Sequence, residues 1–158
     1  MCGIIGYTGQ RPAAPIILEG LASLEYRGYD SAGIAVIGPD GEPAVRKTSG
    51  KLSRLRASLE DGLPAGDIGI GHTRWATHGG PTNFNAHPHI DCHSNVMVVH
   101  NGIVENYVDL KRDLIDQGHE FTSQTDAECI PHLIEQYLGE SYPLEEAVAE
   151  AGRRIRGA

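Results

Sequence analysis

Short β-branched runs closed by glycine or proline constrain this chain more than any other feature. Twenty glycines among 158 residues ask for many turns between short strands rather than for a helical bundle. Cys2 to Tyr7 reads as a buried strand ended by Gly6 and Gly9, and Gly33 to Ile37 as a second. The turn-rich run Gly38-Pro39-Asp40-Gly41-Glu42-Pro43 leads to a third at Ala44 to Thr48. Ile68 to Trp75 and Val96 to His100 supply two more. Between them, Pro12 and Pro15 open a helix with Ile17, Leu21 and Leu24 at helical spacing, and Leu52, Leu55 and Leu59 mark a shorter one.

The last third is helical. Val104, Tyr107, Val108, Leu114 and Ile115 form an apolar stripe that Gly118 stops. Thr125-Asp126-Ala127-Glu128 has capping-box spacing ahead of Ile130, Leu133, Ile134 and Tyr137. Pro131 conflicts with that box and predicts a kink or a later helix start. The final helix starts at Pro143, with Glu145 and Glu146 in its first turn and Arg153, Arg154 and Arg156 at its end, an order that complements the helix dipole. The whole reads as α+β, in one domain large enough for a real core.

A net charge of −8 leaves no basic stripe for phosphates, so no nucleic-acid partner is expected. No apolar stretch approaches the roughly 18 residues of a membrane span, and no secretory signal opens the chain. Three cysteines, Cys2, Cys92 and Cys129, follow no disulfide framework and fit a reducing, cytoplasmic setting.

Five clusters carry the polar chemistry. Cys2 would combine a thiol with a free α-amine once Met1 is removed, joining nucleophile and base on one residue; a strand-start cysteine is also an ordinary small core residue. Glu25-Tyr26-Arg27-Gly28-Tyr29-Asp30-Ser31-Ala32-Gly33 is either a polar turn or the source of a positive charge, Arg27, beside that thiol. Gly71-His72-Thr73-Arg74-Trp75-Ala76-Thr77-His78-Gly79, followed by Asn85-Ala86-His87-Pro88-His89, concentrates groups that suit an amino-acid carboxylate, with Arg74 as the bidentate fork. His87 and His89, with Cys92 and His93, allow a zinc reading at non-standard spacing. His72, His87 and His100 also suit satisfied core positions. Asn101-Gly102 is a turn signal, and equally the side-chain amide and unhindered N–H of an oxyanion hole. Asp126 is a first-turn helix acid or the partner of a substrate ammonium.

In this order and at these separations, the clusters resemble the N-terminal glutaminase domain of the glutamine–fructose-6-phosphate aminotransferase family, within the N-terminal-nucleophile glutamine amidotransferases. Met-Cys-Gly-Ile-Ile-Gly is shared across that class, while the stretches 24–33 and 71–79 are more specific. The resemblance implies an αββα sandwich of two antiparallel sheets and the hydrolysis of glutamine to glutamate and ammonia, with no cofactor and no metal. It implies Cys2 as nucleophile with its α-amine as base, and Asn101 and Gly102 as the oxyanion hole. Arg74, Thr77, His78 and Asp126 match positions that grip glutamine. Arg27, Trp75 and His87 match positions near the site. In the full enzyme the partner is a sugar-isomerase domain, which uses the ammonia to make glucosamine 6-phosphate.

Two departures stand out. The family's Ser-Glu-Thr-Asp-Thr-Glu reads Ser123-Gln124-Thr125-Asp126-Ala127-Glu128 here, keeping the aspartate. The match to residues 1–158 also ends on a helix, so the domain is expected to be C-terminally truncated, lacking further strands and the isomerase domain and exposing a sheet edge.

Overall fold

The computed structural model describes residues 2–76 and 79–157. The chain divides into two compact units, 1–88 and 89–158.

Unit 1 is a four-stranded antiparallel sheet with two helices. It runs β1 (Gly3–Thr8), α1 (Ala13–Leu24), β2 (Ser31–Ile37), β3 (Pro43–Ser49), α2 (Leu52–Ala57) and β4 (Ile68–Arg74), with strand order β1-β4-β2-β3. The β2–β3 hairpin and the four strands follow the β-branched runs of the sequence. A 3₁₀ turn at Glu25–Arg27 links α1 to β2. Pro12 caps α1 and Pro15 lies in its first turn, where a missing N–H leaves no helical bond unmade. The Ala13 N–H at that end donates to the Gly66 carbonyl at 2.8 Å. Ile17 and Leu21 of α1, Ile34 and Val36 of β2, and Leu55 of α2 are fully buried in one cluster. Each contributes about 1.5–3 kcal/mol by burial. Leu59 joins that cluster from beyond the end of α2.

Unit 2 holds a two-stranded antiparallel sheet and three helices: β5 (His89–Ile90), β6 (Met97–Val98), α3 (Tyr107–Asp116), α4 (Cys129–Gly139) and α5 (Leu144–Arg154). Val104, Leu110, Leu114, Leu133, Ile134, Ala147 and Ala151 form its core. Gly118 ends α3 at φ 95°, the left-handed stop that a glycine accepts without strain. α5 carries its acids and bases at the expected ends.

Two local expectations change. The strand expected at Val96–His100 contracts to Met97–Val98. Val96 belongs instead to a turn, donating its N–H to Asp91 Oδ1 at 2.8 Å and accepting from the Asp91 N–H at 3.2 Å. The capping box at Thr125 does not form. The Glu128 carboxylate turns back to the N–H and hydroxyl groups of Thr122 and Ser123, at 2.7–2.9 Å. Residues 126–128 are therefore a 3₁₀ turn, and α4 starts late enough to place Pro131 in its first turn. Among the described residues, no helix is long and apolar enough to cross a membrane.

Candidate active site

In unit 1 the site is built where β1 runs beside β4. Gly3 pairs with Thr73, so one step outward the antiparallel ladder carries Cys2 toward the Arg74–Trp75 peptide. The Trp75 N–H donates to Cys2 Sγ at 3.2 Å. A backbone donor thus faces the sulfur, and the thiol in turn faces the Trp75 carbonyl at 3.7 Å.

Arg74 closes β4 and is only 4% exposed. Its guanidinium donates to the Gly79 and Gly80 carbonyls at 3.4 Å, tying the strand end to the loop that follows. Asn85, also buried, holds the same loop through Nδ2 to the Gly80 carbonyl at 3.0 Å. The backbone of Arg74 is gripped from the other side. Its carbonyl accepts the Asp30 N–H at 3.2 Å, and the Asp30 carboxylate accepts the Ala76 N–H and the Ser31 hydroxyl.

Gly28 explains why the 24–33 stretch has its composition. A Cβ there would lie 2.8 Å from the Arg74 carbonyl carbon and 3.0 Å from the Trp75 nitrogen. The backbone of Gly28 is extended, with φ −169°. The demand is therefore for space, so that the chain can pass directly against the Arg74–Trp75 peptide. Arg27 is half-buried beside it, with no hydrogen-bond partner on its buried Nε among the described residues. Tyr29 meets Trp75 edge to face at 5.5 Å, and each ring is about half exposed. His87 is buried with its ring 4.3 Å from that of His72. Thr77 and His78 lie outside the described residues.

In unit 2, Asn101 and Gly102 are exposed on the loop leaving β6. Asp126 is buried at the start of the 3₁₀ turn, and its Oδ2 accepts the Val104 N–H at 2.7 Å. The acid expected to meet an ammonium group therefore also anchors the loop that carries Asn101-Gly102. Burial lowers the pKa of His100, outweighing the charge of Asp126, so its imidazole is neutral at pH 7.

The chain beyond α5 braces the same loop, through contacts that no local pattern of residues encodes. The Glu105 N–H donates to the Arg156 carbonyl at 2.8 Å, and Asn106 bonds both the Arg154 carbonyl and the Arg156 N–H. Val104 bridges to Gly157. Gly157 has φ 108°, and a Cβ on it would collide with the Ile103 carbonyl, so glycine is the residue this brace accepts.

Two further polar groups are structural. Glu128 is buried; burial pushes its carboxyl up, but the bonds from Ser123 and Thr122 outweigh it and hold the pKa below the ordinary range. Thr125 Oγ1 bonds His89 Nε2 at 2.8 Å. The zinc reading of His87, His89, Cys92 and His93 is not the arrangement found. His87 stacks on His72 and His89 holds Thr125. Cys92 and His93 group with His119, His132 and Glu135.

A family model described as a glutamine amidotransferase domain matches residues 40–144. Curated relatives carry the name glutamine–fructose-6-phosphate aminotransferase (isomerizing). One from Pyrococcus horikoshii is 53% identical over 157 residues, which is 99% of this chain and 26% of the relative. One from Streptomyces coelicolor is 51% identical over 159 residues, 100% of this chain and 26% of the relative. Two solved structures also align along the whole chain. A glutamine phosphoribosylpyrophosphate amidotransferase from B. subtilis, complexed with ADP and GMP, gives TM-score 0.83 at 27% identity. A structure described as the allosteric regulatory enzyme of purine biosynthesis gives 0.85 at 28%. The α+β class with two antiparallel sheets is thus shared with amidotransferases of known structure. The chain spans about a quarter of the length of the curated relatives and 34% of each solved chain.

Proposed function

Because the chain belongs to the glutamine amidotransferase domain family, we propose that residues 1–158 form a glutaminase domain that hydrolyses glutamine with Cys2 as nucleophile. The observation that carries this reading is the Trp75 N–H donated to Cys2 Sγ, just past the end of the strand that the buried Arg74 closes.

After removal of Met1, the α-amine of Cys2 takes the thiol proton and the sulfur attacks the side-chain carbonyl carbon of glutamine. The Asn101 side-chain amide and the Gly102 N–H stabilise the resulting oxyanion. The carbon–nitrogen bond breaks, the ammonium returns its proton to the leaving nitrogen, and ammonia departs. Water then attacks the γ-glutamyl thioester, the carbon–sulfur bond breaks, and glutamate leaves with the thiol restored. Arg74 receives the substrate α-carboxylate and Asp126 the α-ammonium, with Thr77 and His78 completing the grip. Arg27, Trp75 and His87 support the site rather than react.

The relatives' names support a role in which the ammonia passes to a sugar-isomerase domain and is used on fructose 6-phosphate, and we place that role in the cytoplasm. Removing one oxyanion donor costs about 10²–10³ in kcat. Asn101→Ala is therefore expected to cut glutamate release by that factor, with an unchanged circular dichroism spectrum, since Asn101 is exposed. Near-normal turnover in this variant would overturn the assignment.

A further inference from the structure

Away from the proposed glutaminase residues, unit 2 gathers four side chains of different chemistry around one point. Cys92 lies in the turn between β5 and β6, and His119 follows the stop of α3 at Gly118. His132 and Glu135 stand one helical turn apart on α4, the spacing that puts two side chains on one face. Cys92 Sγ is 3.8 Å from His119 Nδ1 and 3.5 Å from His132 Nδ1. Glu135 Oε2 is 2.9 Å from His119 Nδ1 and 3.3 Å from His132 Nδ1. All four atoms lie within 4.8 Å of one another.

Those separations are close to the edges of a small tetrahedron. Zinc bonds of about 2.0–2.3 Å at tetrahedral angles place neighbouring ligand atoms roughly 3.3–3.8 Å apart. Both imidazoles present the same nitrogen, Nδ1, to the centre, and a thiolate and a carboxylate oxygen complete the set. One sulfur with two imidazoles and one carboxylate is a borderline-soft combination that suits zinc rather than magnesium or calcium. Two of the four, Glu135 and Cys92, have outer contacts of the kind that orient metal ligands, while His132 Nε2 is buried with no hydrogen-bond partner among the described residues. The other oxygen of Glu135, Oε1, meets His93 Nδ1 at 2.5 Å, and the Glu120 N–H donates to Cys92 Sγ at 3.4 Å. The His119, His132 and Glu135 side chains are 11%, 1% and 13% exposed, while Cys92 is exposed, so the cluster opens to solvent on the thiol side.

We propose that Cys92, His119, His132 and Glu135 form a structural zinc site that fastens the β5–β6 turn and the end of α3 to α4. All four tetrahedral positions are filled by protein, which assigns the metal a structural rather than a catalytic role. Unit 2 is about 70 residues long, the size at which a metal adds usefully to a small core. The site is independent of the glutaminase reading, and either can fail without the other.

The test uses the tag-free full chain, incubated with excess zinc, dialysed against metal-free buffer and measured by elemental analysis. About one zinc per chain is expected, together with a lower melting temperature after chelation. Cys92→Ser is expected to lose the metal. His93→Ala, which alters only a supporting contact on an exposed residue, is expected to weaken zinc affinity about 10–100-fold. Cobalt(II) in place of zinc should show a thiolate charge-transfer band in the wild type and none in Cys92→Ser. If Cys92→Ser fails to fold, the wild-type zinc content and the cobalt band decide alone. Folded wild type that retains under about a tenth of an equivalent of zinc overturns the proposal and leaves a hydrogen-bonded cluster. Equal retention by folded Cys92→Ser overturns it too.

Discussion

Three thiols share this chain, and their surroundings separate them. Cys129 is fully buried in the unit 2 core, and burial pushes its pKa up to about 12, so it stays protonated and inert near neutral pH. Cys92 sits in the histidine–glutamate cluster. Cys2 lies just ahead of β1, with the Trp75 N–H on its sulfur. Gly28 is the residue on which that geometry leans most. Gly28→Ala would press a methyl against the Arg74 carbonyl carbon, a backbone atom that cannot rotate aside. The variant is expected to lose about 1–3 kcal/mol of stability, read as a lower denaturation midpoint. Glutamine turnover should fall further than that loss explains, because the Arg74–Trp75 peptide shifts. A midpoint equal to wild type would show that the close approach is not rigid.

At the scale of the element, Glu128 joins the 122–125 segment to the start of α4 through four hydrogen bonds. The folded state holds this carboxyl below its ordinary value near 4.5. Its contribution is therefore complete above that value and is lost as pH falls through the lower, folded value. Glu128→Gln is expected to cost about 2 kcal/mol at pH 7, the scale of hydrogen bonds to a charged group. The gap should narrow as chemical denaturation is repeated at pH 5, 4 and 3. A gap that is constant with pH would contradict the charged role.

The strands and helices of unit 1 were legible because each rests on local signals. β-branched runs, the glycine and proline punctuation between them, and Pro12 at the head of α1 all act within a few residues. The Thr125 capping box was misread for a related reason. The spacing was right, but Ser123 and Thr122 offer Glu128 four donors where the box offers one. β5 was missed because its two residues, His89 and Ile90, carry no propensity signal, and the strand exists only through its pairing with Met97 and Val98.

At the scale of the molecule, the residues proposed for catalysis were marked out by residue type and order, which carry the resemblance. Their supports were not. The brace of 154–157 on 103–106 and the meeting of Cys92, His119, His132 and Glu135 join positions up to about 50 residues apart. No local pattern encodes such pairs, although His132 and Glu135 at helical spacing were a partial signal.

The central claim is that Cys2 is the nucleophile of a glutaminase domain. Its most direct test is the intact mass of the chain after incubation with a glutamine analogue bearing an electrophilic carbon in place of the side-chain amide. A single adduct is expected, on chain lacking Met1, that maps to Cys2, is blocked by excess glutamine, and is absent in Cys2→Ala. No adduct, or one that maps to Cys92 and is indifferent to glutamine, would contradict it.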